Sequence, residues 1–520
     1  MKARLLLTLN TFLAVMFMAG CASNQSIDSK AAIATSHPLA TQAGFRALDQ
    51  GGNAFDAAIA AASVLSVVTP YNAGLGGGSV WLLQNKKGST TLIDARAQPP
   101  SNSDSTSLSD NSSSLNNPLS AGIPGQAAAY SHISEKYGIR PLAANLSDAV
   151  RIAEQGFRIN KQYTVYAAER LEDLKLNNAY PFVNNKHLPA KGSILKQPEL
   201  ATTLMRLGRK GHDGFYQGFT ARKILADVNN AGGNWIEADL NNYKVVERLP
   251  VVFEYEDTVI TTTISYPGLH LQQVLNIFER FDSSDMSQIE IDDLLAQILH
   301  IVIADNNRWL GADERPENTL KQLTSDSHLS HLARQIELDR SAAAPSLTSS
   351  HQTNNEALLP HMTILDKWGN KVSASFSMNM PFGSAFNSSS TGVLLNNSLA
   401  SGQWSLSNMT PTIIEDDQSL AIIGVSSEEN TSHTLLLSIL DYIQKKPLNQ
   451  WGQSSHSQIN NNRHAITPTT NSRTDTQLIL LNKESGQVEA TSGSGRGQAI
   501  IRYQAVPIKQ AFLYWLMNTV

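Results

Sequence analysis

The side chains best equipped for chemistry gather between residues 359 and 379. His361, Thr363 and Asp366 sit on a short run that follows a Ser/Thr/Asn-rich loop, and Ser373, Ser375 and Ser377 alternate with Val372, Ala374, Phe376 and Met378 on the next run. A period of two predicts two strands joined by the tight turn Lys367-Trp368-Gly369-Asn370, with one apolar face and one face lined by hydroxyls. Hydroxyls are the raw material of nucleophilic acyl chemistry. Other chemistries find less support: the 13 histidines include no His-Glu-x-x-His pair, the one cysteine partners none of them, and no Gly-x-Ser-x-Gly elbow occurs. His328 and His331 read as a solvated helix face, so neither a metal nor a cofactor is expected.

The elements that must position this hairpin are legible nearby. Ser36-His37-Pro38 opens a helix that stops at Gly51-Gly52, and Asn53 caps a second, Ala-rich helix running toward Thr69-Pro70. Gly74-Leu75-Gly76-Gly77-Gly78 then precedes a strand, Val80-Trp81-Leu82-Leu83. That order is the reverse of a dinucleotide fingerprint, so these glycines are read as permitting close backbone packing. Residues 101–117, 341–356 and 453–476, rich in Ser, Asn and Thr, are read as surface loops. The 520 residues can bury a large core. With 16% charged residues, a net charge of -5 and no basic run, a nucleic-acid partner is excluded and a small molecule or peptide is expected. The oligomeric state stays open.

The hairpin resembles the start of the small subunit of gamma-glutamyltransferases, members of the N-terminal-nucleophile hydrolases, whose motif reads Thr-Thr-His-Phe/Tyr-Ser/Thr, two apolar residues, Asp. His361, Thr363, Ile364, Leu365 and Asp366 match it; the nucleophile's position holds Leu359 and the next Pro360. The opening of the chain is similar to the family's large subunit through Ser36-His37-Pro38-Leu39-Ala40, Gly51-Gly52-Asn53-Ala54-Phe55-Asp56, the glycine cluster and Ile93-Asp94-Ala95-Arg96. Ile123-Pro124-Gly125, Phe215-Tyr216-Gln217-Gly218, Tyr243 and Phe382-Gly383-Ser384 keep the family order further on. The resemblance implies an α+β fold, a four-layer αββα sandwich, with a large-subunit-like region 21–358 and a small-subunit-like region 359–520 that stay joined.

Residue by residue, the resemblance assigns Arg96 to clamp a substrate carboxylate, a task suited to its planar fork. It makes Ser377, Asn379, Ser407 and Asn408 the counterparts of substrate-contacting or supporting residues. It also exposes losses. Ser398-Leu399-Ala400-Ser401 stands where an acidic residue anchors the substrate ammonium, and Ser426-Ser427-Glu428 replaces a turn whose glycines donate to the oxyanion. No catalytic residue is matched, a cut before Thr363 being the one alternative source of a nucleophile.

Lys2 and Arg4 ahead of an apolar run, 5–19, read as a secretory signal over residues 1–20, and Met18-Ala19-Gly20-Cys21 resembles a bacterial lipoprotein box. Cys21, the only cysteine, excludes an intrachain disulfide and is the expected lipidation site. The expectation is an envelope lipoprotein facing the periplasm, by resemblance at the outer membrane. Two functions follow: a catalytically degenerate lipoprotein that binds a carboxylate-bearing ligand or protein, or an active gamma-glutamyl transferase or hydrolase of glutathione metabolism. The residue chemistry favours the first.

Overall fold

The computed structural model describes residues 27–102, 118–263, 266–309, 321–336, 359–399, 409–425, 431–448, 451, 476–493 and 497–506. Nearly all fall in one compact unit, Ala32–Ile501; the chain ends form a second, small one, of which 27–31 and 502–506 are described, as strand. Cys21 lies outside the described residues.

Strand β1 (Ile27–Thr35) leads into helix α1 (Pro38–Asp49), where Pro38 takes the first turn and the His37 imidazole accepts from the Leu39 amide. Asn53 caps α2 (Ala54–Val68) through a full capping box with Asp56, as its sequence requires. Every residue of α2 is buried, which its small and apolar composition permits, the one acid, Asp56, being hydrogen-bonded to the Asn53 and Ile139 amides and the Asn145 side chain. Strands β2 (Gly78–Gln84) and β3 (Thr90–Ala95) form a hairpin, followed by helices α3 (Gln126–Lys136) and α4 (Leu142–Gln155). A short β4 (Val246–Arg248) comes before the pair β5 (Val251–Tyr255) and β6 (Thr258–Thr262), then helices α5 (Tyr266–Phe278), α6 (Gln288–Trp309) and α7 (Asp326–Ala333).

The expected hairpin is β7 (His361–Leu365) and β8 (Lys371–Ser377), antiparallel with Thr363 opposite Ser373. Asp366 makes its turn: its two oxygens accept from the Trp368 and Asn370 amides, the Asn370 side chain and, at 2.8 Å, the Ala54 amide at the start of α2. The motif's aspartate therefore docks the hairpin on a helix N-terminus, where negative charge is favoured. β9 (Thr412–Glu415), β10 (Ser419–Val425), α8 (Thr431–Ile443), β11 (Thr476–Asn482), β12 (Val488–Ser492) and β13 (Gln498–Val506) complete the described chain.

Two large sheets result, in the orders β13-β1-β7-β8-β2-β3-β4 and β12-β11-β10-β9-β6-β5. Ala32, Val80, Leu82 and Leu365 of the first meet Ile413, Ile422 and Ile479 of the second in a shared apolar layer. α2 and α3 cover the first sheet's outer face, and α5 to α8 pack on the second's around Val274, Leu295, Ile298 and Ile439. The layers read αββα, as expected. His328, read as solvated, is instead mostly buried, with Nε2 2.8 Å from the Asp305 carboxylate of α6. The sequence spacing of His328 and His331 showed a helix face but not which neighbour covers it.

Candidate functional site

Strand register gathers the site. Ser375 pairs with His361, Ser377 with Gly78, and Ser79 with Ala95. Carried one or two residues past the strand ends, these registers put Leu359, Ser377, Gly78 and Arg96 in one row across β7, β8, β2 and β3, on the face turned toward the second sheet. The Phe376 amide donating to the Pro360 carbonyl (3.0 Å) carries the β7–β8 ladder toward that row. Three strand spacings separate the row's ends, about 14 Å. Residues 263 positions apart in sequence thus face one end of the sandwich.

The glycine cluster makes this row possible. A Cβ on Gly76 would lie 1.9 Å from the Leu394 carbonyl oxygen, and one on Gly77 2.6 Å from that of Ser377. Close backbone packing, expected from sequence, is therefore its role.

Leu359 stands at the head of β7, only 4% exposed. Two residues on, His361 is fully buried with Nδ1 2.8 Å from Ser375 Oγ and Nε2 3.0 Å from Ser373 Oγ. Ser373 spends its single proton on the Ile423 carbonyl (2.9 Å) and accepts the Thr412 amide (3.2 Å), so His361 Nε2 must donate to it and Nδ1 must accept from Ser375. Burial pushes the imidazole down to about 3, which keeps it neutral. Gly424 of β10 lies flat on this ring, where a Cβ would approach to 2.0 Å. The motif histidine is thus a bolt between the sheets. The hydroxyl face of β8 supplies its partners.

Thr363 sits mid-strand between Ala34 and Ser373, fully buried, and its Oγ1 has no hydrogen-bond partner. A cut before it would break the ladder on both sides. Ser377 Oγ accepts from the Asn379 amide (2.8 Å), and Asn379 Nδ2 donates to the Asn397 carbonyl (2.7 Å). Asn379, Phe382 and Ala385 all adopt left-handed backbone, at φ 72°, 60° and 58°. Such strain persists only where surroundings impose it. Here buried Arg170 donates to the Pro381 carbonyl (2.7 Å), the Phe382 amide to that of Tyr71, and the Phe382 ring packs among Tyr71, Tyr163 and Phe182.

Arg96, partly exposed at the other end of the row, turns Nε and Nη2 onto the two oxygens of Asp94 (2.8 and 2.6 Å). Burial alone would raise the Asp94 carboxyl, but hydrogen bonds and charge from Arg96, with Arg248 beyond it, outweigh burial and hold it below the usual range. Arg248 Nε also reaches Asp94 Oδ2 at 3.2 Å. The Arg96 backbone is fixed from behind by Tyr243, whose hydroxyl donates to its carbonyl (2.7 Å) and whose ring stacks on Tyr216. Sequence reasoning missed Arg248 altogether and placed Asp94 and Tyr243 only as motif letters. The i, i+2 spacing of Asp94 and Arg96 on a strand was the available signal. Ser401, Ser407, Asn408 and the 426–428 turn lie outside the described residues. No group of three or more potential metal ligands occurs among the described residues.

Residues 40–509 match the Gamma-glutamyltranspeptidase family. The glutathione hydrolase proenzyme of Escherichia coli (strain K12) is 31% identical over 390 residues, which span 71% of this chain and 66% of that protein. Its counterpart from Bacillus subtilis (strain 168) is 29% identical over 454 residues, 79% of this chain and 77% of its own. Among solved structures, cephalosporin acylase from Bacillus halodurans superposes with a TM-score of 0.75 over 92% of this chain and 97% of its own, at 20% identity, a likeness of fold. Helicobacter pylori gamma-glutamyltranspeptidase does so with a TM-score of 0.54 at 29% identity, over 62% of this chain and 97% of its own. The matched span includes every residue of the row from Arg96 to Leu359. The chain belongs to the gamma-glutamyltranspeptidase family and has the sandwich fold of N-terminal-nucleophile hydrolases.

Proposed function

We propose that this protein is a catalytically degenerate member of its family that binds a carboxylate-bearing small molecule or peptide at the Arg96 end of the row, and that it is a lipoprotein anchored through Cys21 and facing the periplasm. The observation that carries the reading is Leu359, a buried hydrocarbon at the head of β7, level with Ser377, where acyl transfer needs a hydroxyl and its base. Pro360 adds to it by holding Leu359 extended and removing an amide proton. The missing ammonium anchor at Ser398 leaves Arg96 as the matched anchor for a charged group of the ligand.

Incubated with a chromogenic gamma-glutamyl anilide, the purified protein is expected to stay one chain and release no chromophore. Turnover with a new N-terminus would overturn the degenerate reading in favour of the active transferase or hydrolase. If that turnover vanished in Thr363→Val, Thr363 would be the nucleophile. Cys21→Ala is expected to free the protein from bacterial membranes, and equal retention of both forms would remove the lipid anchor from the proposal.

A further inference from the structure

Two neighbouring helices carry the same outward pattern. In the helix Pro198–Lys210, Leu200, Leu204 and Leu207 are buried, and Arg206, Arg209 and Lys210 share an outer face at i, i+3, i+4 spacing. In the helix Gly218–Asn230, Thr220, Ala221 and Ile224 are buried, and Phe219, Arg222 and Lys223 repeat that spacing outside. Phe219 joins the two faces: its ring is 45% exposed, with the Arg206 guanidinium 4.2 Å and the Lys223 ammonium 5.7 Å from its centre. Exposed cations elsewhere find acids, as Lys136 finds Glu247 and Arg280 finds Asp326. Among the described residues, none of these five side chains is held by a carboxylate or by another hydrogen-bond acceptor. Residues 198–230 contain only three acids, Glu199, Asp213 and Asp227. Asp227 accepts from the Ser388 hydroxyl (2.7 Å) and the Ser390 amide (3.2 Å), Asp213 lies 3.7 Å from the His212 ring, and Glu199 is in the first turn, about 10 Å along the axis from Arg206. The surface is therefore net positive on a chain whose formal charge is -5.

We propose that this face docks the protein on an anionic lipid bilayer. Five cations on long side chains without fixed partners suit a fluid layer of phosphate headgroups, where each finds a charge in no preset geometry. A site shaped for one peptide or nucleotide would hold its cations in place. The exposed phenyl ring among them supplies the apolar group that a headgroup layer accepts and that a soluble polyanion has no use for. The docking is peripheral, and it depends neither on the Arg96 site nor on lipid at Cys21.

Flotation with lipid vesicles tests it, using the chain made without residues 1–21 and so without the apolar run or a lipid. Vesicles of equal parts phosphatidylglycerol and phosphatidylcholine are expected to carry the protein, vesicles of phosphatidylcholine alone to leave it behind, and added salt to release it. Arg209→Gln, Lys210→Gln, Arg222→Gln and Lys223→Gln are each expected to weaken binding about fivefold with thermal melts unchanged. Phe219→Ser is expected to weaken it too, without altering the salt dependence. Lys87→Gln combined with Lys367→Gln, which removes two charges from hairpin turns instead, is expected to leave binding as it was. Equal loss in that pair would overturn the proposal, since net charge rather than this face would be at work. So would absence of binding to the phosphatidylglycerol vesicles, or binding that survives all four substitutions on the two helices together. If inorganic polyphosphate bound through these residues while the vesicles did not, a soluble polyanion would displace the bilayer as the partner and the proposal would fall.

Discussion

Between pH 6.5 and pH 4 the folded protein is expected to lose stability at up to about 2.7 kcal/mol per pH unit, the slope produced by two histidines that the unfolded chain protonates and the native fold does not. Burial pushes His361 down to about 3 and His37 to about 4, from an ordinary value of 6.5. The sign follows from proton counting: below pH 6.5 the unfolded chain binds two protons that the native state refuses, so acid favours unfolding. The loss begins near pH 6.5; the His37 share levels off near pH 4 and the His361 share near pH 3. Asp366, raised by burial, works in the opposite sense. Glu247, which burial would raise but Lys136, His132 and Tyr137 together hold down to about 2, adds its own loss as pH falls from about 4.5 to about 2. Urea midpoints measured from pH 7.5 to pH 4 read the slope directly. His361→Gln, whose amide can donate to Ser373 and accept from Ser375, should remove about 1.4 kcal/mol per pH unit of it, and His37→Asn, which keeps a capping acceptor, a similar amount. A pH dependence unchanged in both variants would refute the assignment.

Gly125→Ala is expected to destabilise the protein by at least about 3 kcal/mol, at the upper end of what overpacking costs. The added Cβ would lie 2.1 Å from the Ala95 carbonyl oxygen and 2.2 Å from the Tyr243 hydroxyl. Neither atom can yield cheaply, since Ala95 closes the β3 strand and Tyr243 is buried, stacked on Tyr216 and bonded to the Arg96 carbonyl. The backbone of Gly125 itself is ordinary, with φ at -109°, so the penalty is purely one of space. Gly88 provides the contrast: it has open room but sits at φ 85°. Gly88→Ala should cost only about 1 kcal/mol of backbone strain. Thermal melts of the two variants side by side decide the matter, and equal shifts would show that the Gly125 contact relaxes freely. Any Gly125→Ala protein that folds should also have a displaced Arg96 and weakened carboxylate binding.

The sequence by itself determined the local pieces. Ser36-His37-Pro38 and Asn53 announced α1 and α2 because caps act within one turn, and the alternation from Val372 to Ser377 announced a strand because side-chain direction repeats every two residues. The order of family motifs carried the αββα arrangement. What the alternation could not say is which face is covered: Ser373 and Ser375 of β8, polar in sequence, are buried at the sheet interface as the partners of His361. Nor could spacing reveal that Arg248 shares Asp94 with Arg96 across 154 positions, that Gly424 makes room for an imidazole, or that Leu359, Ser377, Gly78 and Arg96 form one row. Those relations are set by register between strands distant in the chain, and register depends on which side chains can be buried together, a property of pairs of segments that neither segment's sequence contains alone.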